Sequence, residues 1–586
     1  MFFPRLTFSI LVLLLSLGCS QKISEPSKDL KINILHINDH HSHLEEEEKS
    51  LTINGQTIYT HIGGFPRVVS KIKELQAKKE NSITLHAGDA LQGSMYYTIF
   101  KSKADADMMN LIDWDAFEIG NHEFDDGDEE LAKFLARLNS KNIIAANVKA
   151  APDSLLYGAW QAYRIIERSG EKIAILGINV AEKTRTSSRP SDRISFFNEL
   201  ETVKKVVKEL EAKGINKIIL LSHFGYENDR ALAAKVEGID VIIDGDSHTL
   251  MGDFSMIGLK SVEHEYPKIV YSKNKQPVCI AQAWNYSYLV GSLTVEFNNK
   301  GEISSCQGTP ILLMSNTFKQ KNDRGEKVAV NAAQQKEILQ LIEQYPQLQI
   351  VSKNTTAVQQ LSVYKEQIES RKKEIIGELT EYIGHNRIPN DKYDGKKTLA
   401  LGSEIAPLVA KSFYLKSKRS DFCIQNAGGV RSGLKAGQLT IENVYRLLPF
   451  SNTLIELRLT GAEIKESLEN ALSYIYDKQG STGAFPYGYA IRYDIDSSQA
   501  KGLRVTNIEV KNRQTNQWQA LDKSRSYIVV ANSYIASGKD GYNTFNNITD
   551  RTDTYLDYAM SFADMVKRDR RISKLPADEH PIKSFR

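Results

Sequence analysis

Cysteine is scarce in this chain, with four residues among 586. Cys19 lies near the start, and only Cys279, Cys306 and Cys423 follow it. So few thiols exclude a disulfide-built scaffold and a zinc–thiolate site. Cys279 and Cys306 fall on neighbouring expected strands; they could pair in an oxidising compartment or stay buried and unpaired. Net charge is nearly absent as well, at a formal +3. That is too little to hold nucleic acid or an acidic membrane through general electrostatics, so neither is an expected partner. Any anion preference must come from local sites. An apolar run near the start, Phe8–Leu17, falls short of the roughly 20 residues a comfortable transmembrane helix needs. Disorder is excluded as a default by 41% apolar and 25% charged residues. The length exceeds the roughly 250–300 residues at which single cores stop growing, so more than one domain is expected.

What is present begins at the N-terminus. Arg5, the apolar run and Gly18-Cys19-Ser20 read as a signal peptide over residues 1–18. Cys19 after Gly18 resembles a bacterial lipoprotein processing site, which implies a lipid anchor on Cys19 and an exported protein, periplasmic or at the outer surface. Ser16 departs from that pattern, where a branched aliphatic residue is usual. Residues 19–30 form a polar tether.

From Lys31 a pattern repeats: an apolar strand runs into Gly, Asp, Asn or His, and a helix usually follows. Ile32–His36 leads into Asn38-Asp39, Ile83–His86 into Gly88-Asp89, and Phe117–Ile119 into Gly120-Asn121. Ile173–Ile178, Ile218–Leu221 before Ser222-His223, and Val241–Ile243 before Asp244-Gly245 continue it. Short apolar runs alternating with helical segments indicate α/β architecture with buried sheets. Ligands in such sheets sit at strand carboxyl ends. The first domain is expected over 31–317, a helical linker over 318–375 and a mixed α/β domain over 376–586. In the last, Thr460 and Glu463 form a capping box. Ten of the twelve histidines precede residue 265, so metal chemistry belongs to the first domain.

Asp39-x-His41, Asp89, Asn121-His122, His223 and Asp246-x-His248 each follow a strand. Imidazoles and hard oxygens suit Zn, Mn or Co. Two such cations about 3.5–4 Å apart can clamp the attacking and leaving oxygens of an in-line phosphoryl displacement. A lone Asp after a strand is usually a turn or cap. Five elements in order, each at a strand end, are not explained that way. His36, His40, His43, His61, His86 and His264 are assigned structural or surface roles.

The series Asn38-Asp39-His40-His41, Gly88-Asp89, Gly120-Asn121-His122-Glu123 and Ser222-His223 resembles the calcineurin-like metallophosphoesterases. More narrowly, it resembles the bacterial UDP-sugar hydrolases and 5′-nucleotidases over most of the chain. The resemblance implies an αββα-sandwich first domain holding two divalent ions. One ion would take Asp39, His41, Asp89 and His248; the other would take Asp89, Asn121, His223 and Asp246. His122 would act on the transferring phosphate and Asp125 would orient it. The family usually has His where Asp246 stands. Either Asp246 ligates in its place or it turns away and water substitutes; similarity to NAD nucleotidase-type sequences favours ligation.

In the second domain, Gln425-Asn426-Ala427-Gly428-Gly429-Val430-Arg431 is a Gly-rich loop with a phosphate-matching fork. Phe450 and Tyr534 are aromatics that facing loops could close on a base. Asp540 lies in a Gly-flanked turn. By the same resemblance Asn426 and Arg431 contact substrate, Phe450 and Tyr534 stack on the base, and Asp540 takes the ribose hydroxyls. Arg387 matches a further phosphate-binding Arg more loosely. The implied activity is hydrolysis of nucleoside 5′-monophosphates, with NAD as a further substrate. UDP-sugar hydrolysis, 2′,3′-cyclic phosphodiesterase activity and a non-catalytic nucleotide-binding lipoprotein are the alternatives; retention of the metal-ligand set opposes the last.

Overall fold

The computed structural model describes residues 29–188, 190–390, 399–450 and 452–586. The expected signal peptide, Cys19 and nearly all of the tether lie outside the described residues; the first strand begins at Leu30.

The apolar runs become strands buried on both faces. Leu30–Ile37, Ser82–His86, Ala116–Glu118 and Ile143–Ile144 lie parallel within a ten-stranded sheet. Glu171–Asn179, Ile218–His223, Val241–Asp244 and Pro277–Gln282 lie parallel within a six-stranded sheet. Ile32, Ile34 and Leu85 of the first sheet meet Ile173, Ile219 and Val241 of the second in one inner core. The opposite face of the large sheet, through Leu35 and Ile37, packs on Val68, Val69 and Ile72 of helix Phe65–Lys78. The opposite face of the smaller sheet, through Leu176 and Leu220, packs on Val203, Val207 and Leu210 of helix Glu199–Ala212. The result is a four-layered αββα sandwich, as the resemblance implies, with the buried α/β sheets that the apolar strands lead one to expect.

Cys279 and Cys306 are disulfide-bonded, with Cα atoms 6.5 Å apart. They are not neighbours in one sheet. Cys279 belongs to the six-stranded sheet and Cys306 to the ten-stranded one, so the bond staples the two layers through the inner core.

The strand Ile303–Lys321 runs past residue 317, where the first domain was expected to end. The following stretch folds back on the first domain. Strand Leu348–Ile350 pairs with Leu312–Met314. Helix Thr355–Lys372 sinks Ala357, Leu361, Tyr364 and Ile368 into the core beneath the large sheet. An apolar stripe at helical spacing, diluted by Lys and Glu, reads as a solvated linker until its packing is seen.

The second domain opens with strand Ile375–Leu379. Its five-stranded sheet runs Pro486–Tyr489, Phe422–Asn426, Ser526–Asn532, Thr453–Thr460, Arg551–Asp557. Helices Ile405–Lys416, Gly461–Tyr476 and Tyr558–Asp569 bury Phe413, Leu468 and Phe562 in its core. Both hydrogen bonds of the Thr460–Glu463 capping box are made.

Candidate metal centre and nucleotide face

The parallel strands of both sheets end at one edge, and the candidate ligands stand just past those ends. Asp39, His41, Asp89, Asp246 and His248 all have positive φ, between 47° and 68°. Non-glycine residues rarely adopt that region, and clusters of them mark sites where the surrounding structure imposes a backbone for function. Here the imposed conformation turns each side chain back over its strand end.

The side chains converge. Ligand atoms of Asp39, His41 and His248 lie within 4.8 Å of one another, as do those of Asp39, Asp89 and His223. His41 Nε2 is 3.7 Å from Asp39 Oδ1, 3.8 Å from Asp89 Oδ2 and 3.0 Å from His248 Nε2. The His223 Nδ1–H donates to the Ala87 carbonyl at 2.7 Å, so in the neutral ring Nε2 carries the lone pair. That nitrogen faces Asp89 Oδ2 at 2.9 Å yet makes no hydrogen bond. A lone pair set against a carboxylate in a buried site is unfavourable unless a cation lies with them. Asp89 Oδ2 and both polar atoms of the Asn121 carboxamide are likewise buried without hydrogen-bond partners. The donor set, imidazole with carboxylate and carboxamide oxygen, fits divalent cations.

Around this set lies a brace of hydrogen bonds. Asn38 donates to Asp39 Oδ2 at 2.6 Å and accepts from Ala283 N–H, fixing the carboxylate. The Glu123 carboxylate accepts from the N–H groups of Asp89, Ala90, Leu91 and Gly120 at 2.7–3.2 Å, shaping the loop that carries Asp89. His40 and His86, assigned structural roles, form a buried chain with Asp105. Partners of this kind hold first ligands in orientation.

His122 and Asp125 lie close, with His122 Nδ1 2.6 Å from Asp125 Oδ2. His122 Nε2 is buried, makes no hydrogen bond and stands 4.0 Å from Asp89 Oδ2. Burial pulls the imidazole pKa down, but Asp125 and Asp89 pull it up more strongly, and the net shift is upward.

Asp246 stands at the rim of the cluster. Its Oδ1 is 3.9 Å from His223 Nε2 but 2.5 Å from the Lys183 ammonium. Its backbone N–H donates to the Asp39 carboxylate. The side chain is therefore held by a lysine that carries no motif in the sequence.

In the second domain, Asn426 donates to Asp540 Oδ2 at 3.1 Å, and the Tyr534 hydroxyl donates to Asp540 Oδ1 at 3.1 Å. Asn532 fixes Asn426 in turn. The Arg431 guanidinium lies 5.5 Å from the Phe450 ring centre. Phe450 and Tyr534 are each 43% exposed, which is unusual for aromatics and suits a stacking surface. Arg387 and Arg431 both depress the pKa of buried His385 after the effect of burial itself, so all three share one neighbourhood.

Two residues at the metal centre carry no sequence signal. One is Lys183. The other is Tyr555, delivered by the second domain's edge strand Arg551–Asp557. Its ring stacks on His41 at 4.3 Å and lies 4.6 Å from His122 and 4.7 Å from His248. Glu123 sat inside the Asn-His-Glu motif without an assigned role.

Comparison with known proteins agrees with this geometry. Residues 32–250 match the calcineurin-like phosphoesterase family, and residues 376–547 match the 5′-nucleotidase C-terminal domain. The chain is 38% identical to the NAD 5′-nucleotidase of Haemophilus influenzae, over 95% of this chain and 93% of that protein. It is 37% identical to a probable 5′-nucleotidase of Treponema pallidum, over 96% of each. The solved structure of the Haemophilus influenzae NAD nucleotidase superposes with a TM-score of 0.86 at 36% identity, covering 95% of this chain and all of that one. With both domains matched and relatives 37–38% identical over nearly the whole chain, the chain belongs to the 5′-nucleotidase family of calcineurin-like metallophosphoesterases.

Proposed function

We propose that this enzyme removes phosphate from nucleoside 5′-monophosphates and also cleaves the pyrophosphate of NAD. One observation carries the reading: buried Asp89, Asn121 and His223 atoms without hydrogen-bond partners converge beside the His122–Asp125 pair. When bound, two divalent ions of the Zn, Mn or Co class supply the Lewis acidity that phosphate displacement needs. Asp39, His41, Asp89 and His248 would hold one, and Asp89, Asn121, His223 and Asp246 the other.

The protein's own groups do the rest. His122 turns Nε2 toward the reacting phosphate, to stabilise its charge or protonate the leaving oxygen. Asp125 fixes the ring and favours its charged form. Phe450 and Tyr534 hold the base, Asp540 the ribose, and Asn426, Arg431 and Arg387 the phosphates. The Haemophilus influenzae relative, whose name specifies NAD, supports the dinucleotide as a substrate.

Export, with a lipid anchor at Cys19, is part of the same proposal. The N-terminal pattern supports it, and so does the Cys279–Cys306 disulfide, which suits an oxidising compartment. The test is to incubate the purified, metal-loaded enzyme with NAD, AMP and UDP-glucose and separate the products by chromatography. NAD should give AMP and nicotinamide mononucleotide, followed by adenosine and phosphate. Intact AMP after incubation with Mn²⁺, Zn²⁺ and Co²⁺ in turn would end the proposal.

A further inference from the structure

Among the described residues of the metal-bearing domain, Lys183 is the ammonium paired with a candidate ligand. The reason is topological. Strand Glu171–Asn179 pairs with Ile218–His223 so that Asn179 stands opposite His223. Helix Ala181–Ser187 starts just beyond, at the same sheet edge. A lysine on its first turn therefore reaches the rim of the site, where its side chain is only 18% exposed.

Two facts define what this cation faces. First, its resting partner is Asp246, at 2.5 Å. Asp246 occupies the position where the resembling family usually has a neutral imidazole. The ammonium beside it offsets the carboxylate's charge. Second, the Lys183 ammonium lies 5.2 Å from the centre of the Tyr555 ring. That ring also contacts His41, His122 and His248, with centres 4.3–4.7 Å away. It is 3% exposed, and its hydroxyl donates to the Asp246 carbonyl.

Tyr555 thus fills the space that His41, His122, His248 and Lys183 surround. Behind that space Asp39, Asp89, Asn121 and His223 are fully buried, whereas Lys183, Asp246 and His248 at the rim keep 14–18% of their side chains exposed. With the ring displaced, the phosphate would have His122 Nε2 on one wall and the Lys183 ammonium on another.

We propose that Lys183 is a further catalytic residue, which binds a non-bridging oxygen of the substrate phosphate once Tyr555 has moved aside, Asp246 being its partner at rest. The proposal rests on the hydrolytic reading above. An ammonium on the phosphate adds a charge-assisted hydrogen bond that the metals do not provide.

The test uses the full-length, Mn²⁺-loaded enzyme and its Lys183→Met and Lys183→Arg variants. Metal content is measured by mass spectrometry, inorganic phosphate binding by calorimetry, and AMP hydrolysis by phosphate release. Lys183→Met should keep the metal content of the wild type. It should lose roughly tenfold or more in phosphate affinity and in kcat/KM. Lys183→Arg should recover most of the phosphate affinity. Phosphate affinity within twofold of wild type in Lys183→Met would overturn the proposal. So would a loss of metal that parallels the loss of phosphate affinity, since Lys183 would then only hold Asp246 in place. Failure of the wild type itself to hydrolyse AMP would instead overturn the hydrolytic reading.

Discussion

Replacing Asp125 by alanine isolates the pair proposed to act on the phosphate. The His122–Asp125 contact is 2.6 Å long, and the Asp125 side chain is only 10% exposed. A charge-assisted hydrogen bond in such a setting contributes about 1.5–3 kcal/mol. Bound metals would neutralise Asp89, the other carboxylate that favours protonated His122, leaving Asp125 as its remaining anionic partner. If that interaction is realised in the transition state, kcat should fall by about 10- to 150-fold. His122→Ala should cost more, about 10²- to 10⁴-fold, as expected for an acid–base group. Because Asp125 acts through His122, adding Asp125→Ala to His122→Ala should cost almost nothing further. Phosphate release from AMP at saturating substrate measures all three variants, with metal content measured alongside. Two results would refute the reasoning: loss of metal from His122→Ala, which would make that residue a ligand, or equal Asp125→Ala effects with and without His122.

Other parts of the site give separate tests. A methyl group at Gly120 would meet Asp89 Oδ1 at 2.1 Å and the Asp89 backbone nitrogen at 2.5 Å. Gly120→Ala should therefore fold but lose metal, which elemental analysis beside circular dichroism will show; full metal occupancy would contradict the packing. Phe450→Ala and Tyr534→Ala should each raise KM for AMP through lost stacking of about 1–3 kcal/mol, roughly 5- to 150-fold, with only a small shift in melting because each ring is 43% exposed. Burial, then Arg387 and Arg431, lowers the His385 pKa to about 4, against an ordinary 6.5. A lowered folded-state pKa gives stability that is complete above 6.5 and is lost as pH falls toward 4, about 2–3 kcal/mol by pH 4.5. Urea melts at pH 7.5 and 4.5 should show that His385→Gln loses less stability than the wild type; equal losses would exclude His385 as the source.

The α/β character of the first domain was legible because its central strands are covered on both sides, while the sandwich itself was implied by the resemblance. Ile32–His36, Ile83–His86 and Ile218–Leu221 read as largely apolar runs, and each hands over to a polar residue at the point where the strand leaves the core. The outlying strands gave no such signal. The hairpin of Glu47–Ile53 and Gln56–Ile62 is rich in Glu, Lys and Thr, and its register depends on its partner strand. The strand that crosses residue 317 was hard to read for a related reason. Strand Ile303–Lys321 carries Ser, Asn, Gln and Lys beside its apolar residues because much of it is only partly covered, so composition shifts before the strand ends. For the cysteines, spacing left pairing and unpaired burial equally open, and only the stacking of two sheets decided it.

The same physics separates the legible part of the site from the hidden part. A metal ligand must be one of a few residue types, and a strand end must put it there, so Asp39, Asp89, Asn121 and His223 announce themselves one after another. Charge compensation has no such constraint. Any helix or loop that reaches the rim can supply the ammonium for Asp246, and the sequence around Lys183 reads as an ordinary solvated helix start. Tyr555 is harder still, because 309 residues separate it from the Asp246 carbonyl to which it bonds. Its placement follows from the pairing of Arg551–Asp557 with Thr453–Thr460. That same sheet edge begins just after Phe450, on the nucleotide face. One strand pair thus ties the candidate nucleotide face to the mouth of the candidate metal centre, a link that no local pattern could reveal because neither strand contains a candidate ligand.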